Sequence, residues 1–133
     1  MKVLIVGESG RPHDLEAALQ TKGVDVGRPP EGVLPAAPAD EVGQIAGGLI
    51  AFEKLFAEDA PDAVLLVSAS NLALAAVLAA TKAQIPVASL EQRAQGQESL
   101  SEINRRLIDR LADVRVADDA GAIAASLRDL VAV

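Results

Sequence analysis

Ile85-Pro86-Val87-Ala88-Ser89-Leu90-Glu91, followed after a polar stretch by Ser101-Glu102-Ile103-Asn104-Arg105-Arg106-Leu107-Ile108-Asp109, decides how this chain folds. The first run is short and apolar and stops at an acidic residue, the pattern of a strand buried on both faces. Its length predicts a strand over 85–89. The polar residues 92–98 then form a loop, and a helix follows over 100–111, with Ile103, Leu107 and Leu111 as its buried stripe. Ser99-Leu100-Ser101-Glu102 has the Ser-x-x-Glu spacing of a capping box, which satisfies free N–H groups where a helix starts. Glu102 with Arg106, and Arg105 with Asp109, stand four apart as helical ion pairs.

The same alternation extends outward. Lys2 to Val6 is a β-branched apolar run ended by Gly7, which fits a central parallel strand. A turn over 7–12 leads into a helix over 13–22, closed by Gly23. A short strand is expected over 24–26. Residues 27–39 carry Pro29, Pro30, Pro35 and Pro38 and form a surface loop, because proline supplies no N–H to a helix or sheet. Val42, Ile45, Leu49, Phe52 and Phe56 recur at helical spacing over 40–58, with Gly43, Gly47 and Gly48 marking close packing. A strand over 63–67 follows Pro61-Asp62. Ser70 caps an Ala-rich helix to residue 82, a strand is expected over 114–116, and a last helix over 120–130. This order predicts an α/β fold: a single Rossmann-like, three-layer α/β/α domain over 1–133, with a parallel sheet of about five strands.

Composition narrows the chemistry. Half of the 133 residues are hydrophobic, yet only two are aromatic, so the core is built from Ala, Val, Leu and Ile around Phe52 and Phe56. There is no cysteine and one histidine, His13, which excludes disulfides, thiolate chemistry and a multi-histidine metal site; no metal or cofactor is expected. A formal charge of −7 argues against nucleic acid and anionic membranes as partners. No apolar run is long enough for a membrane span, and a cytoplasmic domain is expected. The apolar run 72–80 reads as a helix packed on the sheet, with a partner subunit as its other possible neighbour.

Ligands of parallel sheets bind beyond the carboxyl ends of the strands. That rule selects Gly7, Ser9, Gly10 and Arg11 after the first strand, and Ser68, Ser70 and Asn71 after the third. It also selects Glu91 and Arg93 after the fourth, and Asn104 and Arg105 on the helix that follows. Gly7-Glu8-Ser9-Gly10 lacks both the lysine of a phosphate-binding loop and the spacing of a dinucleotide fingerprint. It reads either as a tight turn with a solvated Arg11 or as an anion site of backbone N–H groups.

From Pro61 to Ala117 the chain resembles the first domain of the non-hydrolysing UDP-N-acetylglucosamine 2-epimerases. There an "I-P-V-A-H-V-E-A-G-L-R" strand and loop leads into a "P-E-E-x-N-R-R-L" helix. The resemblance implies one half of a glycosyltransferase-B type fold, and it makes Arg11, Glu91 and Glu102 the matching site candidates. It also implies two losses. The family's "G-D-T" aspartate falls on Ala69, and the first glutamate of its helix motif falls on Ser101. Epimerisation beside an anomeric carbon removes and returns a proton, which requires titratable groups. The family's second domain, which grips most of the UDP moiety, has no counterpart in 133 residues. The expectation is therefore a catalytically incomplete epimerase-like domain, a binding, regulatory or structural module, paired as a homodimer through apolar helix faces. Two alternatives stand beside it. One is a half-enzyme completed in trans by a separately encoded domain; the other is a binder of a nucleotide sugar or small anion.

Overall fold

A computed structural model, which describes residues 1–7, 12–29, 40–91 and 99–132, shows strands and helices in strict alternation. They are β1 (Lys2–Val6), α1 (Pro12–Thr21), β2 (Asp25–Gly27), α2 (Glu41–Glu58) and β3 (Ala63–Leu66), then α3 (Asn71–Ala83), β4 (Val87–Leu90), α4 (Ser99–Leu111), β5 (Val114–Val116) and α5 (Ala120–Ala132). The five strands pair in parallel in the order β2-β1-β3-β4-β5. The order reverses between β1 and β3, and the carboxyl ends of those two strands therefore face the crevice in which open parallel sheets hold ligands.

Strand side chains alternate between two cores. Leu4, Val6, Val64, Leu66 and Val87 pack against Phe52 and Phe56 of α2, the alanines of α3 and Ile108 of α4. Val3, Ile5, Leu65, Ala88 and Leu90 face Leu15 and Leu19 of α1 and Ile123 and Leu127 of α5. Three layers result, because every inner strand is apolar on both faces.

Helix α3 lies between α2 and α4 and is buried from Ala73 to Val77 within this fold. Its small side chains allow a close approach: a Cβ on Gly48 of α2 would lie 2.9 Å from the Cβ of Ala75. The expected tight packing is thus realised at Gly48. Phe52 and Phe56, with ring centroids 5.7 Å apart, fill the wider part of the same seam.

Three expectations are corrected. The buried face of α4 carries Asn104 and Ile108, while Ile103 and Leu107 are 51% and 44% exposed. At about 100° per residue, Leu107 points about 100° and Ile103 about 140° away from Ile108; a buried asparagine had disguised the true stripe. Val42 is exposed, because it sits about 80° from Phe52 on the first turn of α2. Asp109 pairs with Arg115 of β5 at 3.4 Å, and Arg105 pairs with Glu102 at 3.7 Å instead.

Strand β4 begins two residues later than the sequence suggests. Gln84 caps α3 in the left-handed conformation, with φ of 61°, and Ile85 donates its N–H to Ala80 at 2.9 Å, so both residues close the helix. Pairing starts where Val64 donates to the Pro86 carbonyl at 2.9 Å.

Candidate functional site

The carboxyl ends of β1 and β3 touch. Gly7 has φ of 127°, and a Cβ there would lie 2.5 Å from Ser68 Oγ and 3.0 Å from the Ser68 nitrogen. Only glycine combines that backbone angle with that proximity. Ser68 Oγ lies 3.3 Å from Ser70 Oγ, and Ser70 caps α3 by accepting from the Ala73 N–H at 3.1 Å. The N-cap read in the sequence is present.

An amide chain runs sideways from this turn. Asn104 is 7% exposed, and its Nδ2 donates to the Ala69 carbonyl at 3.1 Å and to Asn71 Oδ1 at 3.0 Å. Asn71 Nδ2 in turn donates to Gln44 Oε1 at 2.8 Å and to Glu41 Oε2. These bonds join the starts of α2 and α3 to the first turns of α4. Satisfied internally, such a network fixes one arrangement of the elements it joins.

Three further charged groups selected by the strand-end rule or its neighbourhood are placed as follows. Glu91 is exposed immediately after β4, where its N–H donates to Val116 at 2.8 Å, and its carboxylate has no ion pair among the described residues. Glu102 is also exposed, and it is held by Arg106 at 3.4 Å and Arg105 at 3.7 Å. On the opposite side, Arg28 leaves the end of β2, pairs with Glu16 of α1 and donates from Nη1 to the Gly7 carbonyl at 3.3 Å.

Of the residues selected from sequence, Gly7, Ser68, Ser70, Asn71 and Asn104 come together with Ala69 at one turn, while Glu102 and Arg105 pair with each other on α4 and Glu91 follows β4. Ser9, Gly10, Arg11 and Arg93 lie outside the described residues, as does the side chain of Ser101 and therefore the proposed capping box. Arg28, Gln44 and Glu41 were not foreseen. Arg28 lay in a segment read only as a proline loop, yet its place directly after a strand was the available signal.

The arrangement gathers hydroxyl, backbone and amide groups together with one carboxylate, that of Glu41. Among the described residues no cluster of three or more His, Cys, Asp or Glu side chains could hold a metal, and no helix is long and apolar enough to cross a membrane.

A family model described as UDP-N-acetylglucosamine 2-epimerase matches residues 12–128. The UDP-GlcNAc 2-epimerase of Methanocaldococcus jannaschii superposes with a TM-score of 0.71 at 25% identity, covering 97% of this chain and 42% of that one. The enzyme from Rickettsia bellii gives 0.66 at 20% identity, covering 99% and 41%. The S. aureus MnaA–UDP complex gives 0.63 at 21%, covering 94% and 40%. No curated protein sequence matches significantly. The region matched by the family model contains β3, α3, β4 and α4 of the strand-end site but not β1 or Gly7, and residues 1–133 span about two fifths of the enzymes they resemble. The chain belongs to the UDP-N-acetylglucosamine 2-epimerase family.

Proposed function

We propose that this domain binds a nucleotide sugar, or a partner that does, without itself epimerising the sugar. One observation carries the reading. The position that matches the family's aspartate is Ala69; its carbonyl is held by Asn104, the nearby serines cap or contact the same turn, and the carboxylate that the same network contains, Glu41, is engaged by Asn71. A hydroxyl without a base is a poor proton acceptor near neutrality. Glu102, the surviving glutamate of the helix motif, is occupied by two arginines. The first-domain scaffold is retained while the residues matching the acid/base pair are Ala69 and Ser101, which fits a binding, regulatory or structural role. A charged nucleotide sugar does not cross a bilayer unaided, so this reading implies the cytoplasm.

Incubating the purified domain with UDP-GlcNAc and following UDP-ManNAc by proton NMR tests the proposal. Saturable binding without exchange is expected. Sustained turnover by this domain alone rejects it.

A second reading, a half-site completed by another domain, is favoured by Glu91, whose exposed carboxylate has no ion pair among the described residues and is available to a ligand shared across an interface. It requires a stoichiometric nucleotide-binding partner on co-purification. The domain also has apolar side chains to offer a second copy: Val42 and Ile50 on α2 are 76% and 72% exposed, and Ile103 and Leu107 on α4 are exposed as well. Light scattering that finds only monomer at high micromolar concentration removes the homodimer from this reading.

A further inference from the structure

We propose that α2 of one copy of this chain docks in parallel against α4 of a second copy. The inference deepens the homodimer considered above: it rests on self-association and fixes which helices meet and in which direction. Helix α2 has two apolar faces. Phe52 and Phe56 fill the core, while Val42, Ala46, Ile50 and Ala57 are exposed. At about 100° and 1.5 Å per residue, these four fall within about 80° of one another along about 22 Å of helix, with Glu53 inside the same stripe. Ile50 points about 160° away from Gly48, the residue that meets Ala75, so the stripe is turned away from α3. Helix α4 presents a shorter exposed stripe of Ile103, Leu107 and Arg110, within about 60°.

An apolar stripe on a helix whose other side is already buried is the pattern of a helix with two partners. Spacing and charge identify the second one. Crossover helices between parallel strands run the same way, so α2 and α4 are parallel, with α3 between them. A second copy set alongside in the same orientation offers its α4 to α2 as a parallel neighbour. Parallel helices that meet through steps of three and four residues set equally spaced positions level with one another. Residues 46, 50 and 53 on α2 and residues 103, 107 and 110 on α4 share the same steps of four and three. Ala46 then meets Ile103, a small side chain beside a large one, Ile50 meets Leu107, and Glu53 meets Arg110. Neither Glu53 nor Arg110 has an ion pair among the described residues. With the helices antiparallel and Ile50 still level with Leu107, Glu53 falls beside residue 104 and Arg110 beside residue 47, and the two charges part. A net charge of −7 on each copy opposes indiscriminate self-association, so the local match of sign selects these two faces.

Sedimentation velocity on the whole chain tests the contact. One helix pair is smaller than a standard stable interface, so wild type is expected to associate at micromolar concentration. Ile50→Asp and Leu107→Asp, both at exposed positions, should each remain monomeric with an unchanged urea midpoint, and their equimolar mixture should regain a complex, because each supplies the face the other lacks. Glu53→Arg should weaken association about fivefold, and Glu53→Arg with Arg110→Glu should restore it. If wild type associates and neither aspartate variant alters it, the α2–α4 contact is refuted while the homodimer stands. If only Ile50→Asp dissociates it, α2 meets itself and the inference fails. Monomeric wild type at high micromolar concentration overturns both the contact and the homodimer, and leaves the nucleotide-sugar reading to its own binding test.

Discussion

Asn104 Nδ2 donates at 3.1 Å to the carbonyl of Ala69, two residues that stand 35 apart in sequence. The asparagine is buried, and its other bond reaches Asn71, so one side chain holds the β3–α3 turn against α4. Its presence in a helix otherwise rich in charge is thus explained by structure before any appeal to a ligand. Asn104→Asp keeps the shape but replaces both donated bonds with an oxygen facing oxygens. Leaving buried acceptors unpaired costs about 1–3 kcal/mol each at most, so urea unfolding at neutral pH should show a loss of about 2 kcal/mol or more. A loss below about 0.5 kcal/mol means that the network does not hold the turn.

Glu102 provides the contrasting case. Its ion pairs with Arg105 and Arg106 are exposed, and pairs of that kind contribute a few tenths of a kcal/mol. Glu102→Gln should therefore leave the unfolding midpoint almost unchanged. If the same variant weakens UDP-GlcNAc binding about tenfold or more while stability holds, Glu102 acts on the ligand, and the half-site reading gains on the reading of an inert helix pair.

At Gly48 two tendencies oppose one another. Replacing a helical glycine by alanine ordinarily stabilises by about 1 kcal/mol, but the new methyl would lie 2.9 Å from Ala75 Cβ, which is fixed to its own helix and cannot swing aside. Overpacking of that kind costs about 1–3 kcal/mol. Gly48→Ala is expected to destabilise, and Gly48→Ala with Ala75→Gly to recover part of the loss. A stabilised single variant would show that the α2–α3 seam is looser than 2.9 Å implies.

These residues also show what could be read from sequence. The sheet was legible because each strand is a short apolar run between turn formers, and the Ser70 cap because its oxygen acts locally. The face of α4 was not. Periodicity counts apolar residues, and here the buried position belongs to Asn104, whose partners come from elements more than 30 residues away. Arg28 escaped for a related reason: its contacts with Gly7 and Glu16 exist only once β2 lies beside β1. Local signals locate elements; long-range polar pairing, which decides the site, leaves no period in the sequence.

The absent acid at residue 69 gives the sharpest prediction. Ala69 is half-buried and packs on the α2–α3–α4 core, so Ala69→Asp places a carboxylate against apolar neighbours and should lower stability by about 1–3 kcal/mol. It should not by itself produce exchange of UDP-GlcNAc and UDP-ManNAc, because proton removal and return on opposite faces of the sugar calls for a second titratable group, and residue 101 is a serine. Ala69→Asp with Ser101→Glu supplies carboxylates at both positions that the proposed reading matches to the family's acids. If that double variant gains slow but measurable exchange while Ala69→Asp stays silent, the chain lacks catalysis for want of those two groups. If Ala69→Asp alone turns over, another side chain at the strand ends already serves as its proton partner, with Glu91 the first to replace by glutamine.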